Sequence, residues 1–245
     1  MKEKSDSVII LPTFNEIGNI EITLKKIENL SNKFDVIVVD DNSPDGTGLY
    51  VEEAINSEKF NVNIKLITRK GKDGLGTAYI EGFKKSLELK YSYIFQLDCD
   101  GSHDPKKLED LLNELKNNNA EIAVGSRYIK GITVINWPLS RLLLSIFANY
   151  YVKIVTGLNV NDSTGGFNGY TRKALNSIMK NKIYFKGYAF QIQMKFIGYK
   201  LGYKIKEIPI IFKDRQKGLS KIPKIEIFRT LKNLLILFFK KKFKF

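Results

Sequence analysis

The sequence predicts an α/β fold, a mostly parallel sheet flanked by helices, and three observations carry that reading. Short apolar runs recur at residues 7–11, 34–39, 64–68, 93–97 and 121–124, each closing abruptly in a polar loop. A segment of helical period follows each of the first four runs. At 245 residues and 43% hydrophobic content, the chain can bury a substantial core as one domain with additions.

Taken in order, residues 7–11 lead through Pro12-Thr13-Phe14-Asn15-Glu16 into a periodic helix to about residue 30. Residues 34–39 end in Asp40-Asp41-Asn42-Ser43-Pro44-Asp45-Gly46, with a helix from about Thr47. Residues 64–68 lead through Gly71-Lys72-Asp73-Gly74-Leu75-Gly76 into a helix closing near Lys90. Residues 93–97 end in Asp98-Cys99-Asp100, their helix runs about 105–117, and 121–124 is a fifth strand ending at Gly125-Ser126-Arg127. Such alternation implies right-handed crossovers whose strands deliver their polar loops to one sheet edge, where ligands bind.

Side chains at i and i+2 of an extended segment share a side, so Asp98 and Asp100 can address one ion or substrate. Hard divalent cations take one or two carboxylates from a protein and the remainder from water and phosphates. A surface turn is the other reading, because Asp104-Pro105 also has the form of a helix cap followed by Pro at the first position. The spacing of Gly71, Gly74 and Gly76 is not that of a dinucleotide fingerprint and suits a tight turn with close helix packing. Asp40 and Asp41 either turn the chain or accept hydrogen bonds from a ribose or base.

One cysteine, Cys99, rules out an internal disulfide and a cysteine-rich zinc site, and one histidine, His103, leaves little for a histidine metal site. The net charge of +14 predicts attraction to anions. Half of that excess lies in residues 221–245, where eight basic residues face Glu226 alone. No basic motif interleaved with aromatics of the RNA-binding type is present, and acidic loops crowd the sheet edge, which argues against nucleic acid. Residues 1–6 are charged and the apolar run after them stops at Pro12, unlike a signal peptide, so the expected location is the cytoplasmic face of a membrane.

Taken jointly, Pro12-Thr-Phe-Asn-Glu16, Val38-Val-Asp-Asp-Asn-Ser-Pro-Asp-Gly-Thr47, Gly74-Leu-Gly-Thr-Ala-Tyr79, Asp98-Cys-Asp100, Gly125-Ser-Arg127 and Asp162-Ser-Thr-Gly-Gly-Phe167 resemble the family 2 glycosyltransferases. Within them the pattern is most similar to the dolichyl (polyprenyl) phosphate mannose synthases. The resemblance implies a GT-A fold, a nucleotide-sugar donor such as GDP-mannose, a divalent cation (Mg²⁺ or Mn²⁺) and a polyprenyl-phosphate acceptor. By position it implies that Pro12, Phe14, Glu16, Val38, Asp40 and Cys99 contact the donor nucleotide, and that Asp98, Asp100 and Ser102 hold the metal. It makes Arg127 a phosphate-facing arginine, and Arg215 and Lys221 a basic pair closing over the diphosphate. One departure is Asn168, where relatives usually carry Arg.

The chemistry agrees with these residue types. Transfer from a nucleoside diphosphate develops negative charge on the leaving group, which cations stabilise. A phosphate monoester with a second pKa of about 6 is largely dianionic near neutrality, so the acceptor is already a nucleophile and no histidine base is required. Single displacement inverts the anomeric centre. Asp162 either orients the acceptor or caps its loop.

Residues 137–158 form an apolar stripe interrupted by Arg141, Asn149 and Lys153, suited to core packing or to a membrane surface. Apolar residues at helical spacing in 222–245 lie beside lysines, and their longest uninterrupted run, 234–239, is far short of the roughly 20 residues of a membrane span. The expected division is therefore a catalytic domain, 1–221, and an interfacial amphipathic helix, 222–245. The rival readings are a UDP-glucose enzyme making polyprenyl-phosphate glucose and a catalytically silent scaffold docked to membranes.

Overall fold

The computed structural model describes residues 3–187 and 189–214. Arg215, Lys221 and the expected helix at 222–245 lie outside the described residues.

Nine strands and seven helices are described, in the order β1 (Ser7–Thr13), α1 (Ile17–Glu28), β2 (Asp35–Asp40), α2 (Thr47–Asn56), β3 (Ile64–Thr68), α3 (Leu75–Glu88), β4 (Tyr93–Gln96), α4 (Lys107–Lys116), β5 (Ile122–Ser126), β6 (Val134–Ile135), α5 (Leu139–Thr156), β7 (Asn168–Thr171), α6 (Arg172–Met179), α7 (Ala189–Lys200), β8 (Ile205–Pro209) and β9 (Phe212–Lys213). The main sheet has seven strands in the order β3-β2-β1-β4-β7-β5-β8, and β6 pairs with β9 separately. All main-sheet pairings are parallel except those of β7, which runs antiparallel to β4 and β5 and separates them.

Alternation along the strands divides the core into two layers. Ile9, Leu11, Val36 and Val38 face one layer with Leu24, Val51 and Leu111. Their neighbours Val8, Ile10, Ile37 and Val39 face the other, with Phe83, Leu175 and Met194. Burial on both faces is why these strands are unbroken apolar runs. The strand order reverses between β1 and β4, opening a crevice beyond their C-terminal ends.

Two glycines permit close approach. A Cβ on Gly82 of α3 would stand 2.3 Å from Ile10 Cγ2, so this helix lies against the sheet without a side chain between them. A Cβ on Gly76 would stand 2.8 Å from the Lys186 carbonyl, which already accepts the Gly76 N–H at 2.7 Å. The glycine-rich segment is thus a turn and a packing contact, as its spacing suggests.

Helix α5 buries Ala148, Asn149, Val152 and Thr156 and leaves Leu139, Leu143, Phe147, Tyr150 and Ile154 exposed. Among the described residues no helix is long and apolar enough to cross a membrane.

Gly82→Ala tests the packing of α3 on β1. Overpacking against the fully buried Ile10 is expected to cost about 1–3 kcal/mol, outweighing the roughly 1 kcal/mol that Ala gains over Gly in a helix. A lowered urea midpoint at unchanged slope is the expected result.

Candidate active site

The loops after β2, β1 and β4 follow three neighbouring parallel strands at the edge where the strand order reverses. Asp40, 1% exposed, accepts hydrogen bonds from Thr13 Oγ1 (2.7 Å), Ser43 N (2.8 Å) and Ser43 Oγ (2.6 Å). Of the two readings for this residue, turning the chain is the one its contacts express. Asp41 pairs with Arg69 at 2.6 Å, and Arg69 also donates to Thr77 Oγ1, tying the second and third loops together. Burial raises the Asp41 pKa, with Arg69 pulling it back in part.

Pro12 and Phe14 are half-buried at the end of β1, and the Lys72 ammonium lies 4.6 Å from the Phe14 ring centre. Glu16 precedes α1, accepts from Asn19 Nδ2 at 2.7 Å and donates its own N–H to Thr47 Oγ1. Val38 and Cys99 depart from expectation. Val38 is wholly buried in the core layer, because mid-strand alternation turns it inward. Cys99 points away from its flanking aspartates into the same layer, its Sγ 3.9 Å from Thr23 Oγ1, so neither side chain reaches the crevice.

Asp98 and Asp100 do share a wall. A hollow of about 50 Å³ between α1 and the turn after β4 is lined by both carboxylates together with Asn19, Thr23, Lys26 and His103. Tyr79 of α3 donates its hydroxyl to Asp98 Oδ1 at 2.8 Å. Burial and the adjacent Asp98 raise the Tyr79 pKa well above its ordinary range, so it stays a donor. Ser102 donates to Asp100 Oδ1 from both N (3.0 Å) and Oγ (2.5 Å). In this geometry Ser102 orients the carboxylate. His103 stacks on Phe167 with ring centres 5.0 Å apart, and burial lowers its pKa to about 4, keeping it neutral. Among the described residues no group of three or more His, Cys, Asp or Glu converges as a metal cage. Two carboxylates with one oxygen of each held in place nevertheless fit a hard cation that takes its remaining ligands from phosphates and water.

Beyond β4 the loop at 162–167 is built on a buried ion pair. Arg127 Nε and Nη2 donate to the two Asp162 oxygens at 2.7 Å each, and the Arg127 N–H donates to Oδ2 at 3.0 Å. Asp162 also accepts the Gly165 N–H, and Arg127 Nη2 reaches Thr164 Oγ1. The Arg127 carbon lies 5.2 Å from the Trp137 ring centre and 5.6 Å from that of Phe212. Burial would raise the Asp162 pKa, but the attraction and hydrogen bonds of Arg127 hold it below its ordinary value. The Nε and Nη2 groups of Arg127 are thus engaged by Asp162 and Thr164, and Asp162 caps the loop that carries it.

Asn149 of α5 and Lys195 of α7 complete the support. Asn149 Oδ1 accepts from Ser163 N (2.8 Å), Ser163 Oγ (2.7 Å) and Thr164 N (3.3 Å). Lys195 is fully buried and donates to the carbonyls of Gly165 (2.7 Å) and Ser163 (3.2 Å). Asn168 lies within the sheet, donating to Gln96 Oε1 and Gln191 Oε1. Tyr79, Asn149 and Lys195 carry no role that their sequence positions alone disclose. The one visible signal was Asn149 interrupting an apolar stripe.

The profile of the family described as Glycosyl transferase family 2 matches residues 8–179. The chain is 39% identical over 213 residues to an undecaprenyl-phosphate mannosyltransferase of Micrococcus luteus, covering 87% of this chain and 86% of that protein. It is 38% identical over 216 residues to a polyprenol monophosphomannose synthase of Mycolicibacterium smegmatis, covering 88% and 80%. Among solved structures it is similar to glucosyl-3-phosphoglycerate synthase from Mycobacterium tuberculosis in complex with Mn²⁺, UDP-glucose and phosphoglyceric acid (TM-score 0.64, 16% identity, 97% of this chain and 80% of that one). A mannosyltransferase from Pyrobaculum calidifontis in complex with GDP-Man and Mn²⁺ is similar at TM-score 0.60 and 14% identity, covering 98% and 64%. The chain belongs to glycosyltransferase family 2 and has the GT-A fold that its sequence motifs imply. It is a glycosyltransferase.

Asp162→Asn leaves Arg127 and Lys195 buried without their carboxylate, and a loss of about 3–5 kcal/mol in stability is expected. Because the Asp162 pKa is depressed on folding, its contribution is present above about pH 3.9 and lost as pH falls through the lower folded value. The gap between the wild type and the variant in denaturant midpoint should therefore be wide at pH 7 and narrow progressively below pH 4.

Proposed function

We propose that this glycosyltransferase moves mannose from GDP-mannose to a polyprenyl phosphate at a membrane surface, with inversion. The observation that carries the reading is identity of 38–39% across most of the chain to two proteins named for mannosyl transfer to polyprenol phosphates. The site chemistry supports it. Asp98 and Asp100 would hold a divalent cation, Mg²⁺ or Mn²⁺, which when bound supplies positive charge at the diphosphate. Tyr79 and Ser102 fix the two carboxylates from behind. With His103 neutral and packed, the dianionic acceptor serves as its own nucleophile. Pro12, Phe14, Glu16 and Asp40 build the donor side of the crevice through their loops. Arg215 and Lys221, outside the described residues, are assigned to the charge that develops on the leaving diphosphate.

Membrane attachment follows from the acceptor. The exposed apolar row of α5 and the basic residues of 222–245 are assigned to the bilayer surface, residues 1–221 being the catalytic unit. We assign the protein a peripheral position on the cytoplasmic face.

The test is transfer from a panel of labelled nucleotide sugars to a short polyprenyl phosphate, with and without chelator. GDP-mannose is expected to be the best donor. Asp98→Asn or Asp100→Asn should abolish transfer without unfolding the protein, and chelation should do the same. Turnover indifferent to both would remove the metal-assisted reading, and preference for UDP-glucose would reassign the donor.

A second expectation concerns the tail. Deleting residues 222–245 should spare donor binding but release much of the protein from anionic vesicles, since each basic residue near such a surface contributes about 1 kcal/mol. High salt should weaken the intact protein only in part, as screening spares the apolar term. Equal vesicle flotation of truncated and intact protein would assign the attachment to α5.

A further inference from the structure

We propose that Lys195 is a positioning residue for the acceptor: from beneath the 162–166 loop it fixes that loop's carbonyls and adds a buried positive charge beside the place where the acceptor phosphate docks. The inference rests on the polyprenyl-phosphate reading and deepens it.

Four observations support it. First, the ammonium is wholly buried, and its hydrogen-bond partners are the carbonyls of Ser163 and Gly165, on either side of Thr164. Burying an ammonium is costly, and a methionine would fill similar space without that cost, so core packing alone does not account for a lysine here. Second, the loop it holds abuts the metal-site carboxylates: a Cβ on Gly166 would stand 3.6 Å from Asp98 Oδ2. Third, the loop lies on the far side of Asp98 from the donor. The donor-side loops follow β1 and β2, whereas the 162–167 loop enters β7, across β4 from β1. The neighbouring α5, which braces this loop through Asn149, carries the exposed apolar row suited to a lipid. Fourth, Lys195 sits in a charged floor: Asp162 and Arg127 are buried beside it, and the half-exposed Glu207 of β8 accepts from Asn161 and the Asp162 N–H.

A buried cation directly beneath the loop lowers the free energy of bringing an anion above it. It acts through the loop, with no need to touch substrate. Its titration gives a readout. Burial pushes the Lys195 pKa down to about 7, with Asp162 and Glu207 opposing and Arg127 reinforcing the drop. The charge is present below that pH and fades above it.

The experiment measures KM for donor and for acceptor separately between pH 6 and 9, on the full chain with polyprenyl phosphate in vesicles, for the wild type and Lys195→Met. In the wild type the acceptor KM should rise above neutrality while the donor KM stays flat. The acceptor's own second ionisation works in the opposite sense, since a pKa of about 6 makes it a better nucleophile as pH rises. A folded Lys195→Met should raise the acceptor KM about tenfold at pH 6.5, change the donor KM less than about twofold and lose the alkaline rise. An unmoved acceptor KM, or equal movement of both constants, overturns the inference. Should Lys195→Met fail to fold, the wild-type profile decides alone, and a flat acceptor KM across neutrality overturns it. If the wild type transfers no sugar to polyprenyl phosphate, the underlying reading falls and takes the inference with it. An active wild type with an unresponsive acceptor KM refutes the inference only.

Discussion

The Arg127–Asp162 ion pair is the contact on which the second half of the site depends. It joins the end of β5 to the loop before β7, and through Thr164, Trp137 and Phe212 it draws in the segment between β5 and α5 and the β9 strand. A buried pair of this kind contributes little net stability relative to an apolar replacement, because desolvation offsets much of the attraction. What it contributes is geometry: two parallel hydrogen bonds and a backbone donor leave the Asp162 carboxylate a single orientation. The loop above it inherits that precision. Asn149 and Lys195 then satisfy its N–H and carbonyl groups from two different helices.

The side proposed for the donor is organised differently. There the loops are held by carboxylates accepting from neighbouring loops: Asp40 from Thr13 and Ser43, Asp45 from Ile17 and Thr47. Asp41 with Arg69 adds a charged link to the third loop. Asp98 and Asp100 stand between these two regimes, each steadied by a hydroxyl from below. Such orientation matters most for groups whose partner is a cation, since a carboxylate that must reorganise on binding forfeits part of the interaction.

Of the first five strands, β1, β2 and β5 were legible as short runs buried on both faces, while the edge strand β3, half-buried and carrying Lys65, still coincides with residues 64–68. The later elements were not. β7 reads Asn-Gly-Tyr-Thr, a polar tetrapeptide whose place is set by its neighbours on either side, and β9 has two residues. The Asp98/Asp100 pair was visible as acidic residues closing an apolar run. Lys195 was not, because in the segment 189–198 every residue is buried, so no polar face marks it as exceptional. Val38 and Cys99 show that motif position alone does not say which way a side chain turns. Alternation along β2 turns Val38 inward, and Cys99, in the turn after β4, packs into the same layer beside Thr23.

The antiparallel β7 also dictates the order in which the sheet can be completed. β4 and β5 are close in sequence but never pair, and the strand that joins them begins only at Asn168. A chain emerging from the ribosome can lay down β1 to β4 with their helices, yet β4 keeps an open edge until residues 168–171 arrive. Those residues directly follow the 162–167 loop. Closing the sheet and assembling the side proposed for the acceptor are therefore a single event, so that a nascent or truncated chain ending short of β7 presents both a sticky strand edge and an unfinished 162–167 loop.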